Sequence, residues 1–128
     1  QGNLYISHYY GQLKKYDSEF KCVLEVKTGQ NPWQMACAPT GELLICFGYG
    51  GIVAYDTQTL QVTREFADVY CQGVAASSEY IYAACTDQNK ISVLRLSDGM
   101  MTKTHDPGLK SPQGLAVIDD RCLAVADR

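Results

Sequence analysis

The sequence predicts an all-β protein built from repeated four-stranded units. Three similar strand-like stretches (GQLKKYD, GGIVAYD and NKISVLR) begin at residues 11, 50 and 89, so the repeat interval is 39 residues. Short apolar runs alternate with turn residues at a spacing of about 8–12 residues, and none of them has the period of a helix. Four antiparallel strands in a repeat of about 39–41 residues are typical of a β-propeller blade rather than of a β-sandwich.

The second unit shows the four strands in order. They cover residues 34–38, 42–47, 51–56 and 62–66, separated by the turns PTGE, GYGG and DTQT. The first strand of each unit is rich in small residues (MACA, GVAA and GLAV), which suits the crowded position next to a propeller axis. Gln34, Gln72 and Gln113 stand near the start of these strands, and we expect them to be equivalent. The units cover approximately residues 1–30 (partial), 31–70, 71–110 and 111–128 (partial) of a single partial propeller domain, 1–128.

The number of units predicts that the ring is completed elsewhere. About three blades of sequence cannot close a propeller, since propellers typically have four to eight blades. The chain starts in the second strand of one unit and finishes in the second strand of another. We therefore expect it to be part of a longer propeller or to close a ring with a second copy. Two copies would duplicate the second strand, which favours the longer propeller.

Composition limits the classes of partner and the cellular compartment. The 14 acidic and 11 basic residues give a net charge of −3, whereas nucleic acids and anionic membranes attract an excess of Lys and Arg. No apolar run approaches the roughly 20 residues that cross a bilayer, so no membrane partner is expected. The six cysteines form no CxxC motif, which favours reduced thiols packed in the core and a cytoplasmic location.

The segment SPQGLAVIDDRCLAVADR at the end of the chain carries a recognisable pattern. The pattern is Pro-x-Gly-(apolar)-Ala-(apolar), a turn, and an apolar strand ending in (apolar)-x-Asp. The matching residues are Pro112, Gly114, Ala116, Val125 and Asp127. In this pattern the segment resembles the opening half of an NHL repeat. The resemblance implies a propeller of the kind that often forms the C-terminal recognition module of tripartite-motif (TRIM) ubiquitin ligases, where it binds a protein or an RNA.

The middle units are also similar to tryptophan-aspartate (WD) repeats. Tyr55 and Asp56 stand where that family has its Trp-Asp pair, whereas the family's Gly-His pair is missing. Both resemblances imply a propeller, with the NHL type as the first choice and the WD type as the second.

Propeller geometry sorts the loops onto two faces. The loops between second and third strands and those between blades share one face, which is predicted to be aromatic with a few bases. Because Tyr, Trp and Arg concentrate at interaction hot spots, we predict a partner-binding surface there. Its candidate residues are His8, Tyr9, Tyr10, Phe47, Tyr49, Tyr70 and Arg128. Trp33 lies on the same face but is expected to act as a wedge between blades. The opposite face is acidic, and its Asp residues are those that tight turns require.

The sequence is compatible to different degrees with three classes of function: enzyme, RNA reader and protein-interaction scaffold. No Gly-x-Ser-x-Gly elbow or phosphate loop is present, and His8 and His105 have no Cys or second His at zinc-ligand spacing. We therefore predict no enzymatic activity, no metal and no cofactor; a metal-dependent lyase or lactonase, as found among NHL-like propellers, is the least favoured alternative. A single-stranded RNA reader is the second candidate, which Asp68, Asp87 and Asp127 on the aromatic face disfavour. A protein-interaction scaffold is the favoured function.

Overall fold

The computed structural model describes residues 2–66, 68–106 and 108–127. Within them the chain forms four antiparallel sheets, which confirms the predicted all-β propeller segment. The strands are β1 (Leu4–His8), β2 (Gln12–Tyr16), β3 (Cys22–Lys27), β4 (Met35–Cys37), β5 (Glu42–Cys46), β6 (Ile52–Asp56), β7 (Val62–Phe66), β8 (Gly73–Ala76), β9 (Tyr80–Cys85), β10 (Lys90–Arg95), β11 (Met101–His105), β12 (Leu115–Ile118) and β13 (Cys122–Val125). One 3-10 turn, Thr86–Gln88, joins β9 to β10.

Each sheet is one blade or part of one. Blade 1 holds β1 to β3, blade 2 holds β4 to β7, blade 3 holds β8 to β11 and blade 4 holds β12 and β13. In blade 2 the strands match the predicted ones to within one residue at each end. The match is close because glycines with positive φ stop the strands: Gly41 (φ 85°) precedes β5 and Gly51 (φ 80°) precedes β6.

The apolar cores lie between neighbouring blades. Successive side chains of β5 point to opposite sides of the sheet. Leu43 and Ile45 pack with blade 1, and Leu44 and Cys46 pack with blade 3. The strand is therefore buried on both sides, which explains why its sequence, ELLIC, is an apolar run and does not alternate. A third cluster, which includes Ile91 and Leu115, joins blades 3 and 4.

The innermost strands β4, β8 and β12 lie side by side, as their small residues predict. The approach is closest at Gly73, where an added Cβ would lie 1.7 Å from the carbonyl oxygen of Gln113. No side chain fits in that space, so blades 3 and 4 require glycine at this position.

Only two of the three inner-strand glutamines are equivalent: Gln72 N and Gln113 N donate to corresponding carbonyl oxygens, Ala84 O and Ala126 O. Gln34 departs from the expectation. Cys46 N donates to Gln34 O, and the corresponding bond of blade 4 runs from Ala126 N to Gly114 O. Gln34 therefore occupies the position that glycine holds in blade 4. Its side chain reaches the inner strands of blades 3 and 4: Oε1 accepts from Val74 N and Leu115 N, both at 3.1 Å, and Nε2 donates to Leu115 O at 2.9 Å. One amide thus links the inner strands of three blades.

The cysteines divide into two sets of free thiols. Cys46, Cys71 and Cys85 are buried between blades 2 and 3, as predicted. Cys22, Cys37 and Cys122 are exposed, contrary to the prediction that the thiols are packed in the core. No helix in the described ranges is long and apolar enough to span a membrane.

Candidate functional site

A cavity of about 540 Å³ lies on the predicted aromatic face. Five aromatic side chains from four separate chain segments line it, together with a single carboxylate. The aromatic residues are Tyr9, Trp33, Phe47, Tyr49 and Tyr70, and the carboxylate is Asp87. We call this site the aromatic cavity.

Turns at the ends of the strands position these side chains. Tyr9 lies in the tight turn between β1 and β2, and its carbonyl oxygen accepts from Asn31 N at 2.9 Å. Trp33 enters blade 2 with its backbone N–H bonded to Cys46 O at 2.8 Å. Both bonds fix the backbone rather than the ring, so the turns set where the rings project and leave their faces uncovered.

The β5–β6 turn carries two aromatic residues of different exposure. Gly48 has a φ of 62° and donates its N–H to Cys71 O at 3.0 Å, which ties the turn to the start of blade 3. Tyr49, at the tip, is 75% exposed, whereas Phe47 is 9% exposed and belongs to the core between blades 1 and 2. Phe47 therefore forms the floor of the cavity and Tyr49 its wall.

A second wall comes from blade 3 and from the chain segment that leads into it. The rings of Tyr49 and Tyr70 have centroids 5.4 Å apart and planes inclined by 53°, so they meet at a corner instead of stacking. Tyr49 Oη donates to Asp87 Oδ2 at 2.8 Å. This hydrogen bond and the negative charge of Asp87 raise the pKa of Tyr49, so the phenol stays protonated and acts as the donor.

Beside Phe47, the buried thiol of Cys71 lines the base of the cavity. Its hydrogen bond with Cys46, followed by burial, raises the pKa of Cys71. The thiolate is the nucleophilic form of cysteine, and this environment holds Cys71 as the neutral thiol.

The structure brings four of the predicted contact residues together. Tyr9, Phe47, Tyr49 and Tyr70 line the aromatic cavity. His8 and Tyr10 stack on each other with ring centroids 5.9 Å apart, outside the cavity lining. Arg128 lies outside the described residues.

Two of the lining residues are not predicted as contacts by the sequence. Trp33 was expected to be a wedge, yet it is 56% exposed and lines the cavity. The indole nitrogen of Trp33 lies beside Gly48. Because glycine has no side chain, the indole stays uncovered there. Asp87 was recognised only as a charge on this face. A hydrogen bond between residues 38 positions apart gives no local signal in the sequence.

On the opposite face three acidic side chains, those of Asp17, Asp56 and Asp98, accept hydrogen bonds from the backbone of their own turns. Asp17 Oδ1 accepts from Glu19 N and Lys21 N, and Asp56 Oδ1 accepts from Gln58 N and Thr59 N. These contacts agree with the predicted role of aspartate in tight turns. In the part of the chain that the structure describes, no three His, Cys, Asp or Glu side chains are grouped so that they could hold a metal ion.

Glu42 is the exception among these acids because it is buried. Its carboxylate accepts from Arg64, Thr40 and Thr63, with the Arg64 Nη2–Oε1 distance at 2.7 Å. Burial alone would raise the pKa of Glu42, but these hydrogen bonds and the charge of Arg64 outweigh it and lower the pKa to about 2. Arg64 Nη1 also donates to Leu96 O at 2.6 Å, so the pair joins blade 2 to blade 3.

Comparison with known proteins identifies the fold. The WD40 repeats of RRP9 superpose with a TM-score of 0.85 at 14% identity, over 98% of this chain and 42% of that one. The β-propeller domain of Cps50 (Swd1) from Myceliophteria thermophila gives 0.83 at 16%, over 98% and 46%. Hydrazine synthase from Kuenenia stuttgartiensis gives 0.80 at 20%, over 93% and 36%. No protein-family model and no curated protein sequence matches the chain.

These similarities establish a β-propeller segment. The chain spans less than half the length of each of the three matched structures. At identities of 20% or below they carry the fold alone, and they do not separate an NHL propeller from a WD propeller.

Proposed function

We propose that the chain is a non-enzymatic β-propeller module that binds a protein partner through the aromatic cavity. The observation that carries this proposal is the exposure of four rings around one concave site: Tyr9 (74%), Tyr49 (75%), Trp33 (56%) and Tyr70 (45%). Exposed rings held by tight turns offer a large apolar contact area at low cost in side-chain entropy, which is the property that makes Tyr and Trp frequent at hot spots.

Two further features favour a binding role over catalysis. The thiol nearest the cavity, Cys71, is held in its neutral form, and the described lining places no histidine or second carboxylate beside Asp87. A metal-dependent lyase or lactonase remains the least favoured alternative. It would be supported by hydrolytic or eliminating activity that depends on an added divalent cation.

Single-stranded RNA is the second candidate ligand, since exposed rings can stack on bases. The described part of the cavity lining includes no Lys or Arg to contact phosphates, so RNA is less favoured than a protein. Salt-dependent binding of a single-stranded RNA would reverse this order.

A further part of the proposal concerns the longer polypeptide to which the module would belong. We propose that the remaining blades come from the rest of a longer propeller, and that the module serves as the recognition domain of a TRIM-type ubiquitin ligase. The pattern at Pro112, Gly114 and Asp127 supports the second proposal, and the cytoplasm is the compartment proposed for it. Detection of the native polypeptide with a RING domain would support the ligase role.

The binding role is tested by the double substitution Tyr9→Ala with Tyr49→Ala. Because neither side chain belongs to the apolar cores, the variant should fold with the wild-type melting temperature and lose the proteins that the wild type captures. The matched control is Phe20→Ala, which removes a 76% exposed ring from the turn between β2 and β3 on the opposite face. Equal capture by the folded double variant and the control would contradict the proposal.

A further inference from the structure

The aromatic cavity has the electrostatic character of a site for an organic cation. Among the residues that the structure describes, its lining contains one carboxylate, Asp87, and no Lys, Arg or His. The faces of Tyr and Trp rings are the negative ends of their quadrupoles and attract a cation that lies within about 6 Å. Carboxylate and ring faces therefore favour the same sign of charge, that of a cation.

From this arrangement we propose that the cavity binds the ammonium group of a lysine side chain presented by a protein segment, with the trimethylated form bound most tightly. The inference rests on the proposed function, because it names the chemical group by which the protein partner is recognised.

The shape of the cavity fits the two halves of a lysine side chain. The floor, formed by Phe47 and Cys71, is apolar and nearly solvent-free, so it suits the methylene stem. The rings of Trp33, Tyr49 and Tyr70 form walls that suit the charged end. A volume of about 540 Å³ exceeds what one side chain fills, which leaves room for the flanking backbone of the segment.

The corner between Tyr49 and Tyr70 is what makes the site suited to a cation. Rings inclined by 53° at a centroid separation of 5.4 Å cannot stack fully on each other. The hydrogen bond from Tyr49 Oη to Asp87 Oδ2 holds this wall and places the negative charge at its edge. No other described group donates to the Asp87 carboxylate, so it is available to a bound cation.

Methylation should strengthen binding for a physical reason. An unmodified ammonium is strongly hydrated and must shed water to reach the ring faces. Three methyl groups remove the N–H donors and spread the charge over an apolar surface, so less hydration is lost on entry. Quaternary ammonium groups are accordingly the ligands that aromatic cages bind best.

The test uses Trp33, the only tryptophan of the sequence, as a fluorescent reporter within the site. The probe is N-acetyl-trimethyllysine methylamide, and its control is the neutral analogue in which a tert-butyl group replaces trimethylammonium with the same shape. We expect the cation to bind about 3- to 30-fold more tightly than the neutral analogue. Equal affinities, or no saturable response to the cation, would overturn the proposal.

Matched variants locate the binding. Tyr49→Leu keeps apolar bulk but removes a ring face, and Asp87→Asn removes the charge, so each should weaken the cation more than the neutral analogue. The controls are Phe20→Leu and Asp119→Asn on the opposite face, which should leave both affinities unchanged. Cation binding that survives Tyr49→Leu and Asp87→Asn would place the site elsewhere and overturn the proposal.

The two proposals fail in different ways. If the cation does not bind but the Tyr9→Ala, Tyr49→Ala variant still loses its captured proteins, lysine recognition is wrong and the protein-binding face stands. If capture is also unaffected, the face itself is wrong. Saturable binding of a single-stranded oligonucleotide to Trp33, in place of the cation, would also overturn lysine recognition.

Discussion

Gly73 is the residue at which the packing of the blades is least tolerant. Its position is set by the backbone of Gln113, whose carbonyl oxygen leaves no room for a Cβ. A side chain here must push the inner strands of blades 3 and 4 apart, which would also strain the bonds that Gln34 makes to Val74 and Leu115.

We expect Gly73→Ala to lower the free energy of unfolding by about 1–3 kcal/mol or more, the usual cost of overpacking a core. Thermal and urea unfolding measure this change. The matched control is Gly114→Ala in the next blade, where an added Cβ would meet only Ala126 Cβ at an ordinary 3.8 Å. A Gly73→Ala variant as stable as Gly114→Ala would show that the two inner strands are not in contact at this point.

Residue-level identity also misleads the sequence comparison at the axis. Three glutamines recur at nearly the repeat interval, so a comparison of residue types alone makes them equivalent: Gln34, Gln72 and Gln113. The hydrogen bonds of Cys46 and Ala126 instead align Gln34 with Gly114. Backbone pairing decides which residue faces the axis, and a sequence without an alignment carries no direct record of it.

At the scale of the element, the strands of blade 2 were predictable because residues typical of turns stand at their ends. Gly41 and Gly51 take positive φ values and Asp56 bonds to its own turn, so turn residues bound each strand. The cavity was only half predictable. Its loops follow from strand order, which brought Tyr9, Tyr49 and Tyr70 to one face, whereas the Tyr49–Asp87 bond depends on how two blades pack.

The ion pair between Glu42 of β5 and Arg64 of β7 should make stability depend on pH. Folding lowers the pKa of Glu42 from 4.5 to about 2. A depressed pKa contributes stability that is fully present above pH 4.5 and is lost as the pH falls toward 2. The contribution is on the order of 3 kcal/mol.

We expect Glu42→Gln to be less stable than the wild type at pH 7 and to approach it below about pH 3, because protonation then removes the advantage of the wild type. Unfolding by urea across pH 2–7 measures this convergence. Glu79→Gln removes an exposed acid from the same face and serves as the control for a change in net charge. A stability difference between Glu42→Gln and wild type that is constant across this range would contradict the ion pair.

At the scale of the whole molecule, both outer blades present exposed apolar side chains. Phe20, Val23 and Leu24 of blade 1 and Ile118 of blade 4 are exposed, and both blades have fewer than four strands among the described residues. Open sheet edges with apolar surface invite pairing with further chain.

If further blades cover these surfaces, the 128-residue chain alone should self-associate, and a longer native polypeptide should not. Light scattering after size-exclusion chromatography measures both masses. The substitutions Val23→Lys and Leu24→Lys, on the outermost strand β3, should reduce association of the short chain without unfolding it. A monomeric short chain would contradict the idea that these surfaces are normally covered.

The central claim is that a protein partner sits on the aromatic cavity, and site-specific photocrosslinking tests it most directly. A benzoyl-phenylalanine in place of Tyr49 puts the reactive group at the cavity wall, and the same residue in place of Phe20 puts it on the opposite face at equal exposure. The account predicts a discrete, protease-sensitive and nuclease-resistant adduct from position 49 and none from position 20. Adducts from position 20 alone, or a nuclease-sensitive adduct from position 49, would contradict it.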